Sequence, residues 1–262
     1  MKASLTDHLY QLKAEQQKAF AILLDPDHVP ADEAVLRPLV HRLEAATTDL
    51  ILVGGSLTVD RNIHALVPLL QSLTQLPIVL FPGSPEQIVS AADGILLLSL
   101  LSGRNPDYLI GRHVEAAPLL KQSELEILPT GYLLIDAGAP TTVNYMSNTL
   151  PIPHNKPQIA MCTALAGEQL GLRFIYMDGG SGAQRIISTQ MVSEVSEQLS
   201  IPLMIGGGIR SGRQAEAIWR AGADIIVVGT ALEQTDGEDL LTDLATIKAI
   251  FKTSSQTHTE NA

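Results

Sequence analysis

Three glycine clusters in the second half of the chain have the composition of phosphate-binding loops. They occupy residues 178–182, 206–211 and 229–230, and each follows an apolar run. Glycine lets backbone N–H groups approach an anion closely, and the N-terminus of a following helix adds positive potential. One such cluster is explained equally well by a tight turn between a strand and a helix. Three clusters at successive strand ends predict a phosphate site.

Two polar side chains in the first quarter of the chain have the chemistry of a divalent-cation site. Asp25 follows the first apolar run and Ser56 follows the second. Neighbouring strand ends would bring this carboxylate and this hydroxyl together, and Mg²⁺ prefers such oxygen ligands. An Asp before a Pro also commonly forms a turn through its own side chain. Spacing alone does not choose between the two roles.

Asp178 has the chemistry of a general base, because it ends a predicted strand beside the phosphate loops. A carboxylate there lies within reach of a hydroxyl on a bound phosphate ester. Tyr176, two residues earlier, points to the same side of the strand and either packs in the interior or faces the ligand. Asp136 ends another run and is interpreted as an anchor for the loop that follows it. The seven histidines do not have metal-ligand spacing, so zinc is not expected.

Eight short apolar runs must position these residues. The runs end at Gly, Asp, Ser or Pro and alternate with helical patterns, which is typical of parallel strands covered by helices. The predicted strands are 20–24, 50–53, 78–81, 94–99, 131–136, 174–178, 203–206 and 224–228, and the predicted helices include 31–46, 106–120, 159–170, 189–199 and 212–221.

This alternation predicts an α/β fold, either a closed (β/α)₈ barrel or an open doubly wound sheet. Eight strands favour the barrel, and no GxGxxG motif follows the first strand. The interval 137–157 holds four prolines and predicts a long loop that interrupts the alternation. We expect one barrel domain over residues 1–251 and a frayed polar tail over residues 252–262.

Composition argues against several classes of function. Hydrophobic residues make up 45% of the chain and charged residues 17%, so the chain has much apolar surface to bury. A net charge of −11 has the wrong sign for a nucleic-acid partner. Cys162 is the single cysteine and the N-terminus has no secretory pattern, so we expect a cytoplasmic protein. The longest apolar stretch, 94–101, is far below the roughly 20 residues that span a bilayer, although contact with a membrane surface stays compatible with the sequence.

Nearly the whole chain resembles the geranylgeranylglyceryl phosphate synthase family, the phosphoglycerol prenyltransferases, and within it the large second group (group II). Glycine-rich loops alone occur in many barrels, whereas the two long segments in the middle of the chain are highly specific. The matching motifs are LLDPD at 23–27, VGGS at 53–56, LLSLLSGRNPDYLIGRHV at 97–114, LPTGYLLID at 128–136, YMSNTLPIPHNKPQIA at 145–160, TALAGEQLG at 163–171, YMDGGSGA at 176–183, GGGIRS at 206–211 and VGTALE at 228–233.

The resemblance implies a modified (β/α)₈ TIM barrel in which an irregular segment replaces one helix, in a homo-oligomer that is a dimer or a hexamer. The implied reaction transfers a geranylgeranyl group from geranylgeranyl diphosphate to the C3 hydroxyl of sn-glycerol 1-phosphate, which forms the first ether bond of archaeal-type phospholipids. By motif, Asp25 and Ser56 match Mg²⁺ ligands, Asp178 matches the base, and Tyr132 and Tyr176 match residues near the reacting centre. The implied glycerol-phosphate residues are Tyr176, Met177, Asp178, Gly179, Gly180, Ser181, Gly182, Gly207, Gly208, Gly229 and Thr230.

Two positions depart from the family pattern. Most members carry Glu at the position of Asp178, and the shorter side chain must bring its oxygen about 1.5 Å closer to the substrate. Most members also carry Lys at the position of His28. We expect the wall of a prenyl groove along 96–101 and 105–111.

Several other functions are compatible with the sequence. A family member could use another prenyl length, such as heptaprenyl, or could be a non-catalytic barrel that binds phosphate or lipid. A sugar-phosphate isomerase or aldolase is a further alternative, but it would need a Lys or Glu base inside the barrel. The lysines at positions such as Lys121, Lys156 and Lys248 do not end predicted strands.

Overall fold

A closed barrel of parallel strands forms the centre of the computed structural model, which describes residues 4–59, 62–229 and 237–259. Each strand pairs with the next along the chain, and the first strand pairs with the last. The predicted barrel is therefore confirmed within these ranges. Its strands are β1 (Ala19–Leu24), β2 (Leu50–Val53), β3 (Ile78–Leu80), β4 (Gly94–Leu100), β5 (Glu126–Leu134), β6 (Phe174–Asp178), β7 (Leu203–Gly206) and β8 (Ile225–Val228).

Helices surround the barrel, and the helices predicted from periodicity all occur with boundaries shifted by a few residues. A π-helical turn, Asp107–Gly111, leads directly into the helix expected at 106–120. The helices of the described ranges are α1 (Leu5–Ala14), α2 (Glu33–Ala45), α3 (Ile63–Leu73), α4 (Arg112–Gln122), α5 (Thr142–Ser147), α6 (Pro157–Gln169), α7 (Thr189–Ser196), α8 (Gly212–Arg220) and α9 (Gly237–Thr259).

Two apolar cores result, one inside the barrel and one between the strands and the helices. Alternate residues of each strand point to opposite faces, so Leu52, Leu96 and Tyr176 pack inside. Ile51 and Ile175 pack outside against the helices. Because both faces are buried, the strands are nearly continuous apolar runs, the pattern from which they are predicted.

The interval between β3 and β4 contains no α-helix, only a 3₁₀ turn at Pro85–Gln87. Pro82, Gly83 and Pro85 follow β3 closely and disfavour a regular helix there. This is the irregular segment that replaces one helix of the barrel. The expectation of a long loop over 137–157 is wrong in part, because this interval contains α5. A capping box between Thr141 and Asn144 starts that helix.

Helix α9 continues past residue 251 to Thr259, and no Gly or Pro interrupts it over residues 252–259. Fraying of this polar tail stays a prediction. Earlier in α9, Lys248 donates to both carboxylate oxygens of Asp49, at 2.7 and 2.6 Å, which attaches the helix to the barrel. No helix in the described ranges has both the length and the apolar character needed to cross a membrane.

Candidate active site

A polar cavity of about 390 Å³ opens at the C-terminal ends of the strands. Barrel enzymes place their sites at this end because the loops after the strands converge there. Asp25 and Ser56 line one side of the cavity, and Tyr176 and Asp178 lie opposite. The structure therefore places these four predicted residues around one cavity. The same cavity is lined by Gly180, Ser181, Gly182, Gly207, Gly208 and Gly229.

Two of the predicted glycerol-phosphate residues lie away from the cavity surface, and a third is outside the described residues. The side chain of Met177 is fully buried in the core between strands and helices, because successive strand residues alternate between faces. The side chain of Met177 therefore does not line the cavity, and its place in the glycerol-phosphate loop stays a prediction. Gly179 lies behind the cavity wall, where its N–H donates to the carbonyl of Gly206 (3.0 Å). Thr230 lies outside the described residues.

At Gly206 and Gly207 the second glycine loop forms a backbone surface with no room for side chains. Gly207 has φ +84°, and a Cβ added there would lie 2.9 Å from Oδ1 of Asp178 and 2.8 Å from the Cα of Gly179. At Gly206 an added Cβ would lie 2.2 Å from the hydroxyl of Tyr176. Glycine is therefore required by close contacts as well as by turn geometry. The second loop leads into α8, whose N-terminus Ser211 caps, so the positive end of that helix is close to the loop.

Asp178 is held by hydrogen bonds to both of its carboxylate oxygens. The hydroxyl of Tyr132 donates to Oδ2 at 2.5 Å, and the N–H of Gly180 donates to Oδ1 at 2.7 Å. Burial raises the pKa of this carboxyl above its usual range, and the two hydrogen bonds offset part of that rise. A carboxylate with a raised pKa is a stronger base, as proton abstraction requires.

Three aromatic rings form a stack beside Asp178. Tyr132 and Tyr176 are cross-strand partners on β5 and β6, with ring centroids 5.6 Å apart, and Phe81 stacks on Tyr176 at 5.2 Å. Burial, and next the charge of Asp178, raise the pKa of both tyrosines well above 10. Both phenols are therefore protonated at neutral pH, and the stack is uncharged.

Asp25 forms a turn and also lines the cavity, where its role as a cation ligand stays a prediction. Its Oδ1 accepts the N–H of Asp27 at 3.0 Å, which forms the turn, while its side chain also lines the cavity. Its Oδ2 lies 3.3 Å from the position of a Cβ on Gly55, next to Ser56. Within the described ranges no group of three or more His, Cys, Asp and Glu side chains could hold a metal ion. A cation here would take hard oxygen ligands from Asp25 and Ser56, a donor set that fits Mg²⁺, and further oxygens from substrate or water.

An apolar groove of about 100 Å³ extends from the cavity. Gly55, Ser56, Phe81 and Val143 line both spaces, so the two spaces are continuous. The groove lies beside the interval that lacks a helix. Its wall includes the predicted residues Leu96, Leu97, Leu98, Leu100 and Tyr108, and also Pro82, Pro85, Ile88, His113, Ala116 and Met146.

Sequence reasoning missed the residues that this gap contributes. Pro82, Pro85 and Ile88 line the groove, and the signal for them is the Pro-Gly-Ser-Pro breaker after β3. Gln87 is also missed, although it is buried beside the site, and no spacing pattern marks it. His28 does line the cavity, as its place after Asp25 suggests.

Comparison with known sequence families matches residues 10–250 to the PcrB family. The chain belongs to the PcrB family. Its relatives include the geranylgeranylglyceryl phosphate synthases of Spirosoma linguale and Chitinophaga pinensis. The former is 50% identical over 94% of this chain and 97% of its own, and the latter is 52% identical over 85% and 87%.

A solved structure is similar to this chain over nearly its whole length. It is the (S)-3-O-geranylgeranylglyceryl phosphate synthase of Thermoplasma acidophilum in complex with sn-glycerol-1-phosphate, with a TM-score of 0.87 at 32% identity over 94% of this chain and 98% of that chain. More distant barrels, such as a thiamine phosphate pyrophosphorylase of Pyrococcus furiosus (17% identity, TM-score 0.53), share the fold alone. This PcrB family member is an enzyme, a prenyltransferase.

Proposed function

We propose that this enzyme transfers the geranylgeranyl group of geranylgeranyl diphosphate to the C3 hydroxyl of sn-glycerol 1-phosphate. One observation carries the proposal: a glycine-lined polar cavity and an apolar groove meet at Ser56 and Phe81. The first space suits a phosphate ester and the second suits an isoprenoid chain. The names of the relatives at 50% and 52% identity support the same substrates.

The backbone N–H groups of the glycine loops bind the phosphate of sn-glycerol 1-phosphate. Loop 180–182 after β6, loop 207–208 after β7 and Gly229 after β8 line the cavity, and the loops after the seventh and eighth strands hold phosphate in many barrels. Such donors bind an anion without a cationic side chain. The glycerol is then held with its C3 hydroxyl near Asp178.

Asp178 accepts the proton of that hydroxyl through a carboxylate oxygen. The hydroxyl oxygen forms the new C–O bond to the allylic carbon while the C–O bond to diphosphate breaks, and diphosphate leaves with that electron pair. The allylic carbon gains cationic character during this step, and the uncharged rings of Tyr132 and Tyr176 stabilise it by cation–π attraction. The groove excludes water, which would otherwise compete with the glycerol hydroxyl.

Mg²⁺ held by Asp25 and Ser56, when bound, supplies positive charge that neutralises the diphosphate leaving group. The oxygen donors of these two side chains fit such a cation. The cavity near Asp25 also contains His28, which stands where most family members carry Lys.

Three observations weigh against the alternatives. The relatives named above carry the geranylgeranyl name, which favours a C20 substrate over a heptaprenyl substrate. Lys121 lies in α4, Lys156 precedes α6 and Lys248 lies in α9, so these lysines cannot serve as an isomerase or aldolase base inside the barrel. A buried carboxylate, Asp178, in the wall of the polar cavity favours catalysis over simple binding.

The decisive experiment combines radiolabelled sn-glycerol 1-phosphate or its enantiomer with prenyl diphosphates from C10 to C35, with and without Mg²⁺. We expect an ether product that requires sn-glycerol 1-phosphate, is best with C20 and depends on Mg²⁺. Absence of product with every pair contradicts the proposal. A best substrate other than C20 moves the assignment to another prenyl length.

The setting of the enzyme is part of the proposal. We place it in the cytoplasm, as a dimer or hexamer that contacts a membrane surface when it takes up or releases isoprenoid lipids. Tyr145, Leu150 and Val59 are exposed by more than four fifths, so they offer apolar surface for such contacts. Light scattering after size exclusion tests the oligomer, and a monomer would contradict it.

A further inference from the structure

A buried glutamine lies behind the junction of the cavity and the groove. Gln87 belongs to the 3₁₀ turn between β3 and β4 and is only 2% exposed. The residues that line the two spaces stand in front of it. A buried side-chain amide is costly unless its polar atoms are paired, so the partners of Gln87 matter.

Gln87 joins the loop after β2 to the loop after β3. Its Nε2 donates to the carbonyl of Gly55 at 2.9 Å and to Oγ1 of Thr58 at 3.2 Å. Its Oε1 accepts the N–H of Gly83 at 3.2 Å and, at the longer distance of 3.4 Å, the N–H of Gly55. A side-chain amide has two donor hydrogens and two acceptor sites, and all four are used here.

The same two loops also lie backbone against backbone. A Cβ on Gly83 would lie 2.4 Å from the carbonyl oxygen of Gly55, and a Cβ on Gly54 would lie 2.2 Å from that of Phe81. No side chain fits between the loops at these points. We call Gly54, Gly55, Gly83 and Gln87 the loop clasp.

The loop clasp determines where Ser56 lies. Gly55 precedes Ser56 and lies against the carboxylate of Asp25, so the position of its backbone decides how close the Ser56 hydroxyl and that carboxylate can be. We infer that Gln87 is a positioning residue for the diphosphate end of the site, acting through the backbone of Gly55 and Ser56. The inference rests on the proposed function, in which this end takes a prenyl diphosphate with Mg²⁺.

The test compares Gln87→Leu and Gln87→Glu with a matched control, Gln71→Leu. Gln71 lies in α3, and its Nε2 donates to Asp93 at 2.8 Å. Asp93 in turn accepts the N–H of Ile78 at the start of β3, at the end of the barrel opposite the site. Calorimetry measures the binding of inorganic pyrophosphate with Mg²⁺ and, separately, of sn-glycerol 1-phosphate. Steady-state assays give the KM of each substrate and kcat.

We expect Gln87→Leu to weaken pyrophosphate binding about tenfold or more, because it leaves buried backbone groups of Gly55 and Gly83 unpaired. Gln87→Glu keeps the acceptor oxygens and loses both donated bonds, so the same selective loss is expected. Binding of sn-glycerol 1-phosphate should stay within about twofold in both variants, since its loops lie across the cavity. Gln71→Leu should change neither affinity.

Equal losses of both affinities in both Gln87 variants would overturn the inference, since they indicate general destabilisation. No loss in either variant would overturn it too, since Gln87 then has no role. If one variant does not fold and loses both affinities, the other variant decides. Absence of pyrophosphate binding by the unaltered protein also overturns it, because there would be no diphosphate end to position. Selective loss of pyrophosphate binding, with no ether product from the unaltered protein, would support the positioning role and contradict the proposed function.

Discussion

At the scale of single residues, Asp178, the base of the proposed function, is unusually confined. It is 7% exposed, and its two oxygens already accept bonds from Tyr132 and Gly180. Two short hydrogen bonds therefore hold the Asp178 side chain, which is one methylene shorter than the Glu of most family members. In the proposed reaction these bonds fix the direction of the carboxylate, so the substrate hydroxyl must approach a rigid base.

Asp178→Asn removes the base and keeps nearly the same shape. We expect kcat to fall about 100-fold or more, the range that general bases contribute, while the affinity for sn-glycerol 1-phosphate stays nearly unchanged. Single-turnover rates and calorimetric titration measure the two quantities. Undiminished turnover would remove Asp178 from the role of base.

Tyr132→Phe removes the hydrogen bond that lowers the pKa of Asp178 and leaves the ring in place. The pKa of Asp178 should rise, and because the base must be deprotonated, the acidic limb of the kcat/KM profile should move to higher pH. The remote Tyr10→Phe, whose hydroxyl donates to the carbonyl of Arg173, serves as the matched control and should leave the profile in place. A profile unchanged in Tyr132→Phe would show that the bond does not tune the base.

At the scale of secondary-structure elements, the missing helix between β3 and β4 creates the groove. β3 and β4 pair only at Val79 with Gly94 and Leu80 with Ile95, and beyond these pairs the strands are free to separate. The turn Pro85–Gln87 and helix α4 contact each other across the gap, so they bound the space. The absence of a helix between β3 and β4 therefore leaves a space, which the proposed function assigns to an isoprenoid chain.

Ala116→Leu tests this account of the groove. Ala116 lies on α4, lines the groove and is 5% exposed, so three added carbons should occupy space that the chain would fill. We expect the ratio of kcat/KM for a C20 diphosphate to that for a C15 diphosphate to fall about tenfold, since one or two lost methylene sites cost that much. Ala117→Leu, at the exposed neighbouring position, is the matched control. An unchanged ratio in Ala116→Leu would place the prenyl chain elsewhere.

At the scale of the whole molecule, a net charge of −11 accompanies a site proposed for two anionic substrates. At that site the described ranges supply backbone N–H groups, helix α8 and Asp25, and of the described Lys and Arg side chains Arg210 alone lines the cavity. Global charge thus says nothing about the ligand, because local dipoles act at contact distance while the net charge acts over a screened range.

The salt dependence of substrate binding follows from this arrangement. Between about 0.05 and 0.5 M NaCl, we expect the KM for sn-glycerol 1-phosphate to change less than about twofold, because short-range hydrogen bonds are screened little. Unfolding in urea at the same salt concentrations provides the control for stability. A KM that rises about tenfold would indicate steering by distant positive charge instead.

The sequence by itself determined the eight strands, the barrel and the strand ends that carry Asp25, Ser56 and Asp178. These follow from local patterns, since buried parallel strands are apolar on both faces and stop at turn residues. Only the tertiary structure decided which distant groups touch. The bond from Tyr132 to Asp178, the clasp of Gln87 on Gly55, and the place of the missing helix all depend on strand register and barrel closure, which bring residues far apart in sequence to within hydrogen-bond distance and leave no trace in local spacing.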